Sequence, residues 1–136
     1  MNNQEFKQYV SDAIDKLEKQ GKVSIRFTEN GNDGCFYYDE QNNTCCIVGM
    51  MMPNDNVRKA ADDYKFDASI IYMYKDGSSE WAQQFTLKQV NFLAKLQRLH
   101  DTFRIDDSFS DLISSMRKRL EIYLDKKWTN KCEKDR

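Results

Sequence analysis

The chain has 136 residues, 40% apolar and 32% charged, with 12% aromatics and a net charge of −1, a composition that allows one hydrophobic core and argues against disorder. The mean hydropathy of −0.83 is low, yet the aromatics supply large buried surfaces; a pI near 5.9 argues against an overall basic nucleic-acid binder, and no apolar run reaches the ~18–20 residues a membrane span requires. The opening Met1-Asn2-Asn3-Gln4-Glu5 lacks the basic and apolar parts of a secretory signal, so a cytoplasmic location with reduced thiols is expected.

The first predicted element is an amphipathic helix. Phe6, Tyr9, Val10, Ala13, Ile14 and Leu17 recur every three or four residues on one face. Asn2 and Glu5 have capping-box spacing, and Gly21 suits a left-handed stop. Alternation follows, with Val23, Ile25 and Phe27 on one face and Ser24, Arg26 and Thr28 on the other. The cluster Asn30-Gly31-Asn32-Asp33-Gly34 predicts a turn, Cys35 to Tyr38 a second strand, and Asp39–Asn43 a second turn. Thr44 to Met52 is apolar on both faces, which predicts a buried third strand ended by Pro53. These three strands form an expected antiparallel meander.

Asn54 to Gly77 is harder to read. Asp55 is placed to cap a short helix carrying Val57, Ala60, Ala61 and Tyr64, while Ser69 to Tyr74 has strand-like content that also suits a helical turn. The segment is taken as a variable, irregular, acidic and aromatic insertion, the kind of region that carries recognition. Thr86 and Gln89 then open a helix to about Phe103, with Leu87, Val90, Leu93, Leu96 and Phe103 inward. Asp106 or Asp107 starts a last helix with Phe109, Leu112, Ile113, Met116, Leu120, Tyr123 and Leu124 on one face. The expected fold class is α+β: an N-terminal helix, a three-stranded antiparallel meander, the variable segment, and two C-terminal amphipathic helices. It makes one domain over residues 1–128, with a frayed, charged tail at 129–136.

Cys35, Cys45, Cys46, Cys132 and the single His100 are the residue types suited to metal or nucleophilic chemistry. Structural zinc wants four ligands in short pairs, yet Cys45 and Cys46 are adjacent, and neighbouring strand residues face opposite ways. That leaves Cys35, Cys46 and His100 as an alternative metal set, with Asp101 about 100° round the helix from His100. Cys46 with His100 is likewise an alternative nucleophile and base. Four residues past Leu96 and three before Phe103, His100 falls beside the core-facing stripe, which favours a packing role. No phosphate-binding glycine loop, nucleophile elbow or paired-histidine motif is present. The reading therefore leans away from an enzyme and assigns no cofactor.

Charge is unevenly spread: residues 29–67 hold eight acids and three bases, a balance of −5, and residues 111–136 a balance of +3. An acidic middle suits a basic protein partner, and tyrosine and tryptophan are enriched at binding hot spots. Asp62, Asp63, Tyr64, Tyr72, Tyr74 and Trp81 are the expected interface. Nucleic acid is not expected as the main ligand; the basic stretch Arg117, Lys118, Arg119, Lys126 and Lys127 would be its site.

One ordered pattern runs through the chain: Gln20-Gly21-Lys22, then Cys35 and Tyr37, then Cys46, Val48, Gly49, Pro53 and Asp55, then Leu96, Gln97, His100 and Asp101. It resembles a family of small phage and prophage-type proteins with a Cys-x-Tyr, a Cys-Ala-Ile/Val-Gly-x-x-Ile-Pro and a Leu-Gln-x-x-His-Asp element. This chain departs from the pattern at Ile47 and Met52, and Tyr64 to Trp81 has no clear counterpart. The resemblance implies a phage or mobile-element context and no particular mechanism. The combined expectation is a non-enzymatic, protein-binding accessory protein that inhibits or neutralises its partner, as an anti-defence inhibitor or immunity protein does.

Overall fold

The structure is a computed structural model, described for residues 1–28, 31–63 and 69–124. Within them the chain is a mixed helix-and-strand fold. Helix α1 spans Asn3–Gln20. Strands β1 (Ile25–Thr28) and β2 (Gly31–Cys35) form one hairpin; β3 (Tyr38–Asp39) and β4 (Thr44–Cys45) form another. Then come α2 (Ile47–Met51), α3 (Asp55–Asp62), α4 (Ser69–Asp76), α5 (Glu80–Gln83), α6 (Leu87–Asp101) and α7 (Phe109–Leu124).

The long helices start and stop as their sequences dictate. Asn2 accepts from the Glu5 N–H at the start of α1, and Gly21 closes it at φ 81°. Thr86 and Gln89 form the reciprocal capping box of α6. The N-terminal turn of α7 is held by Ser108, whose Oγ accepts from the Asp111 N–H at 3.2 Å, and not by Asp106 or Asp107. Helix α1 packs on α2 and α7, and α6 packs on α2, α4 and α7. Phe6 is fully buried between them, with ring centroids 6.0 Å from Phe85, 5.9 Å from Phe92 and 5.7 Å from Tyr123. Leu87, expected inward, is 49% exposed; it occupies the first turn of α6, beyond the stripe that begins with Val90.

The three-stranded meander is not formed. The sheets are two separate two-stranded antiparallel hairpins, and the run expected as the third strand leaves β4 after Cys45 and coils into α2. An apolar run of this length fits a buried strand or a buried helical turn equally by periodicity, and local capping decides. The Cys46 Sγ accepts from the Gly49 N–H at 3.2 Å, as an N-cap serine would. The expected turn at 30–34 is also largely strand: β2 begins at Gly31, paired with Thr28, and a register shift falls between Arg26 and Phe27.

The expected irregular insertion contains short helices. Asn54, not Asp55, caps α3, its Oδ1 accepting from the Val57 N–H at 3.0 Å. Ser69–Asp76 is helical, with Ile70 and Met73 buried and Tyr72 outward. The interface candidate Tyr64 and the tail beyond Leu124 lie outside the described residues. No described helix is long and apolar enough to cross a membrane.

Candidate functional site

The residues singled out for chemistry converge between β1, α2 and α6. His100, on the inner face of α6, is fully buried, and its Nε2 accepts from the Ser24 backbone N–H at 2.9 Å. That bond leaves the ring proton on Nδ1, which donates to Asp101 Oδ1 at 2.9 Å. Gln97, one turn earlier on α6, donates from Nε2 to the same Asp101 oxygen at 2.8 Å and accepts the Val48 N–H on Oε1 at 3.3 Å. The Cys35 thiol donates to the Asp101 backbone carbonyl at 3.7 Å. Ser24 continues the network, its Oγ donating to the Thr44 carbonyl at 3.1 Å and accepting from Thr44 Oγ1 at 3.0 Å. One set of α6 side chains thus ties the entry to the first hairpin to the first turn of α2.

Electrostatics follow from that placement. Burial pushes the Cys46 thiol well above its ordinary range, and the Asp101 charge adds to the shift; the Gly49 N–H and Gln97 oppose it. Burial also raises Cys45, with Arg58 opposing. Cys46 is therefore a neutral thiol inside the fold. His100 and Asp101 have the orientation of an acid–base pair, yet the nitrogen that would take a proton is occupied by a backbone amide. Among the described residues, no group of three or more His, Cys, Asp and Glu side chains is arranged to hold a metal ion. Cys35, Cys46 and His100 accordingly share a neighbourhood through Asp101 and Gln97, with both ring nitrogens of His100 engaged elsewhere.

The expected interface residues divide. Asp62 is half-buried, its carboxylate accepting the Tyr37 and Tyr38 N–H groups at 2.7 and 3.2 Å. Burial raises its pKa against those two amides. Trp81 is buried, its Nε1 donating to the Tyr9 hydroxyl at 2.9 Å and its ring 5.3 Å from Phe85. Tyr9 in turn donates to the Met51 carbonyl. Tyr74 packs against the core, while Asp63 and Tyr72 are exposed.

Several structural partners carried little sequence signal. Gln20 mimics a strand neighbour for Cys45, its Oε1 accepting the Cys45 N–H at 2.9 Å and its Nε2 donating to the Cys45 carbonyl at 3.0 Å. Arg58 holds the end of α2, donating from Nε to the Gly49 carbonyl at 2.7 Å and from Nη2 to the Met52 carbonyl at 2.9 Å. Asp39 is almost fully buried and accepts from Arg26, Gln41 and Asn42. The Arg26 guanidinium beside it lowers its pKa to about 2 and lies 4.5 Å above the Phe36 ring. The four-residue spacing of Gln97 and Asp101 on one helix face was the available clue to the α6 network. Compared with known proteins, the chain matches no family model, no curated protein and no solved structure.

Proposed function

We propose that this chain is a non-enzymatic, protein-binding accessory protein that occludes a partner, in the manner of an anti-defence inhibitor or a toxin-neutralising immunity protein. The observation that carries the reading is a division of labour among its side chains. The described thiols and histidine with hydrogen-bonding roles face inward as helix cap, amide acceptor and carbonyl donor. Asp63 and the Tyr72 ring are exposed around α3 and α4, with Glu40 and Asp55 exposed nearby in ion pairs with Lys59 and Arg58; an exposed acid and a tyrosine on one segment suit a basic partner. The phage or mobile-element context rests on the sequence pattern alone.

The test is affinity capture by the full-length chain against Asp63→Asn/Tyr72→Ala, two exposed positions that leave the core intact. Recovery of one partner by the wild type and its loss with the double variant, at unchanged melting temperature, supports this interface. Equal recovery removes it. The competing thiol- or metal-dependent enzyme using Cys35, Cys46 and His100 predicts stoichiometric metal in the purified protein or one thiol that alkylates unusually fast, and either result overturns the proposal.

A further inference from the structure

Where α6 ends and α7 begins, the fold leaves an open groove of about 280 Å³. Its apolar lining comes from Leu99, Phe103 and Leu112, and its acidic lining from Asp107 and Asp111. Ile105, in the connection between the two helices, is 76% exposed, the most exposed of the large hydrophobic side chains among the described residues. A hydrophobic residue that far from the core gains nothing from folding, and in sequence it lies between Phe103 and Asp107 of the groove, whose lining is completed by the polar Thr102, Ser108 and Ser115.

Charge selects the occupant. Among the described residues, no lysine or arginine lines the groove, and the flanking Arg98, Arg104 and Asp106 together add one positive charge against the two carboxylates. The N-terminus of α7 contributes roughly +0.5 of a charge, too little to offset what remains of the two carboxylates, so the groove is net negative. Asp107 uses Oδ2 to accept the Arg104 N–H at 2.8 Å, and both Asp107 and Asp111 are exposed. An anionic ligand such as nucleic acid is disfavoured here; a cation attached to an apolar surface is favoured.

We infer that this groove docks a basic amphipathic helix of a protein partner, with the partner's aliphatic residues over Leu99, Phe103 and Ile105 and its lysines or arginines against Asp107 and Asp111. The inference rests on the protein-binding reading and adds to it a second surface, separate from Asp63 and Tyr72. A helix in an apolar groove with flanking charge is a recurrent mode of peptide recognition.

The experiment titrates the full-length, isotope-labelled chain with two synthetic amphipathic peptides that share their leucine positions and differ only in carrying lysines or glutamates. The lysine peptide is expected to shift the amide resonances of Leu99, Phe103, Ile105 and Ser108 saturably, and the glutamate peptide to leave them in place. Ile105→Ser/Asp111→Asn, both at exposed positions, should weaken the lysine peptide about tenfold without changing the melting temperature. Equal binding of both peptides, shifts confined to other faces, or full binding by the double variant would overturn the inference. Self-association through the same resonances without peptide would assign the groove to a second copy and overturn it as well. A native partner lost with Asp63→Asn/Tyr72→Ala but kept by Ile105→Ser/Asp111→Asn would sink the groove and leave the proposed function standing.

Discussion

Gly49 of α2 packs directly against the Tyr37 backbone that leaves the first hairpin, and replacing it with alanine tests how firmly the two are held. A Cβ at this position would lie 2.0 Å from the Tyr37 carbonyl oxygen and 2.9 Å from its carbon, where real Cβ contacts under 3.0 Å essentially never occur. The two backbones must therefore separate by about 1 Å. Neither is free to do so. On one side Asp62 holds the Tyr37 and Tyr38 amides; on the other Arg58 holds the Gly49 and Met52 carbonyls. Overpacking of this kind costs ~1–3 kcal/mol, and weakening one charge-assisted hydrogen bond adds ~1.5–3 kcal/mol. Against this, alanine gains only about 1 kcal/mol over glycine in a helix. The net expectation is a loss of about 3 kcal/mol, read as a urea midpoint lowered by ~1–2 M and a melting temperature lowered by about 10 °C. Gly77→Ala is the control: Gly77 has φ +70° and nothing within 4 Å of a built Cβ, so only the left-handed backbone penalty of ~1–2 kcal/mol applies. Gly49→Ala as stable as the wild type, or less damaging than Gly77→Ala, would refute this tight packing.

The buried network makes further predictions. His100→Phe keeps an aromatic ring, somewhat larger than the imidazole, but removes the acceptor for the Ser24 amide and the donor to Asp101, so chemical denaturation should show a loss of about 2–4 kcal/mol; an unmoved midpoint would contradict the hydrogen-bond assignment. Cys46, fully buried and capping α2, should alkylate only as the protein unfolds in urea, and labelling of the native state faster than Cys45 would show that the thiol is accessible. Asp39 has its pKa lowered from 3.8 to about 2. Its contribution of about 2 kcal/mol is therefore present above pH 4 and lost as pH falls from about 4 to 2. Asp62, whose pKa is raised, acts in the opposite sense, because its protonation favours the folded form. Acid titration of stability should thus be shallower over that window in Asp39→Asn than in the wild type, and parallel curves would remove Asp39 from the account.

How much of this was legible depended on whether a residue's role was local. The ends of α1 and the start of α6 could be read because Asn2, Gly21, Thr86 and Gln89 act within one turn of themselves. The inward residues of α1 followed from a sustained helical period. The segment from Ile47 to Met52 failed because all its residues are apolar, so no face distinguishes helix from strand; the Cys46 cap that settles it is a thiol in the place of a hydroxyl. Trp81 was assigned to an interface because composition cannot show that its indole N–H meets Tyr9, far away in sequence. The backbone partners of Asp62, an expected interface residue, were hidden for the same reason: an acid on a polar helix looks solvated until two amides from another segment are placed against it.

The long-range side-chain bonds share a purpose that bears on the Leu-Gln-x-x-His-Asp pattern. Two-stranded hairpins are marginal alone, and buried backbone groups without partners are costly. The stretch from Lys22 to Met52 has only two such hairpins among its described residues, so side chains from elsewhere complete its hydrogen bonding. Gln20 serves Cys45, His100 serves Ser24, Gln97 serves Val48, Asp62 serves Tyr37 and Tyr38, and Arg58 serves Gly49 and Met52. Gln20, His100 and Asp62 stand in for strand neighbours that the fold does not supply, while Gln97 and Arg58 satisfy the open backbone groups at the two ends of α2. A buried histidine beside an aspartate and two thiols resembles catalytic equipment when only residue types are compared. Traced bond by bond, these residues instead satisfy irregular backbone, and sensitivity to mutation at Gln97, His100 or Asp101 is explained by stability before any chemistry is invoked. The proposed binding surfaces accordingly use exposed side chains, Asp63 and Tyr72 on one and Ile105 with Asp111 on the other.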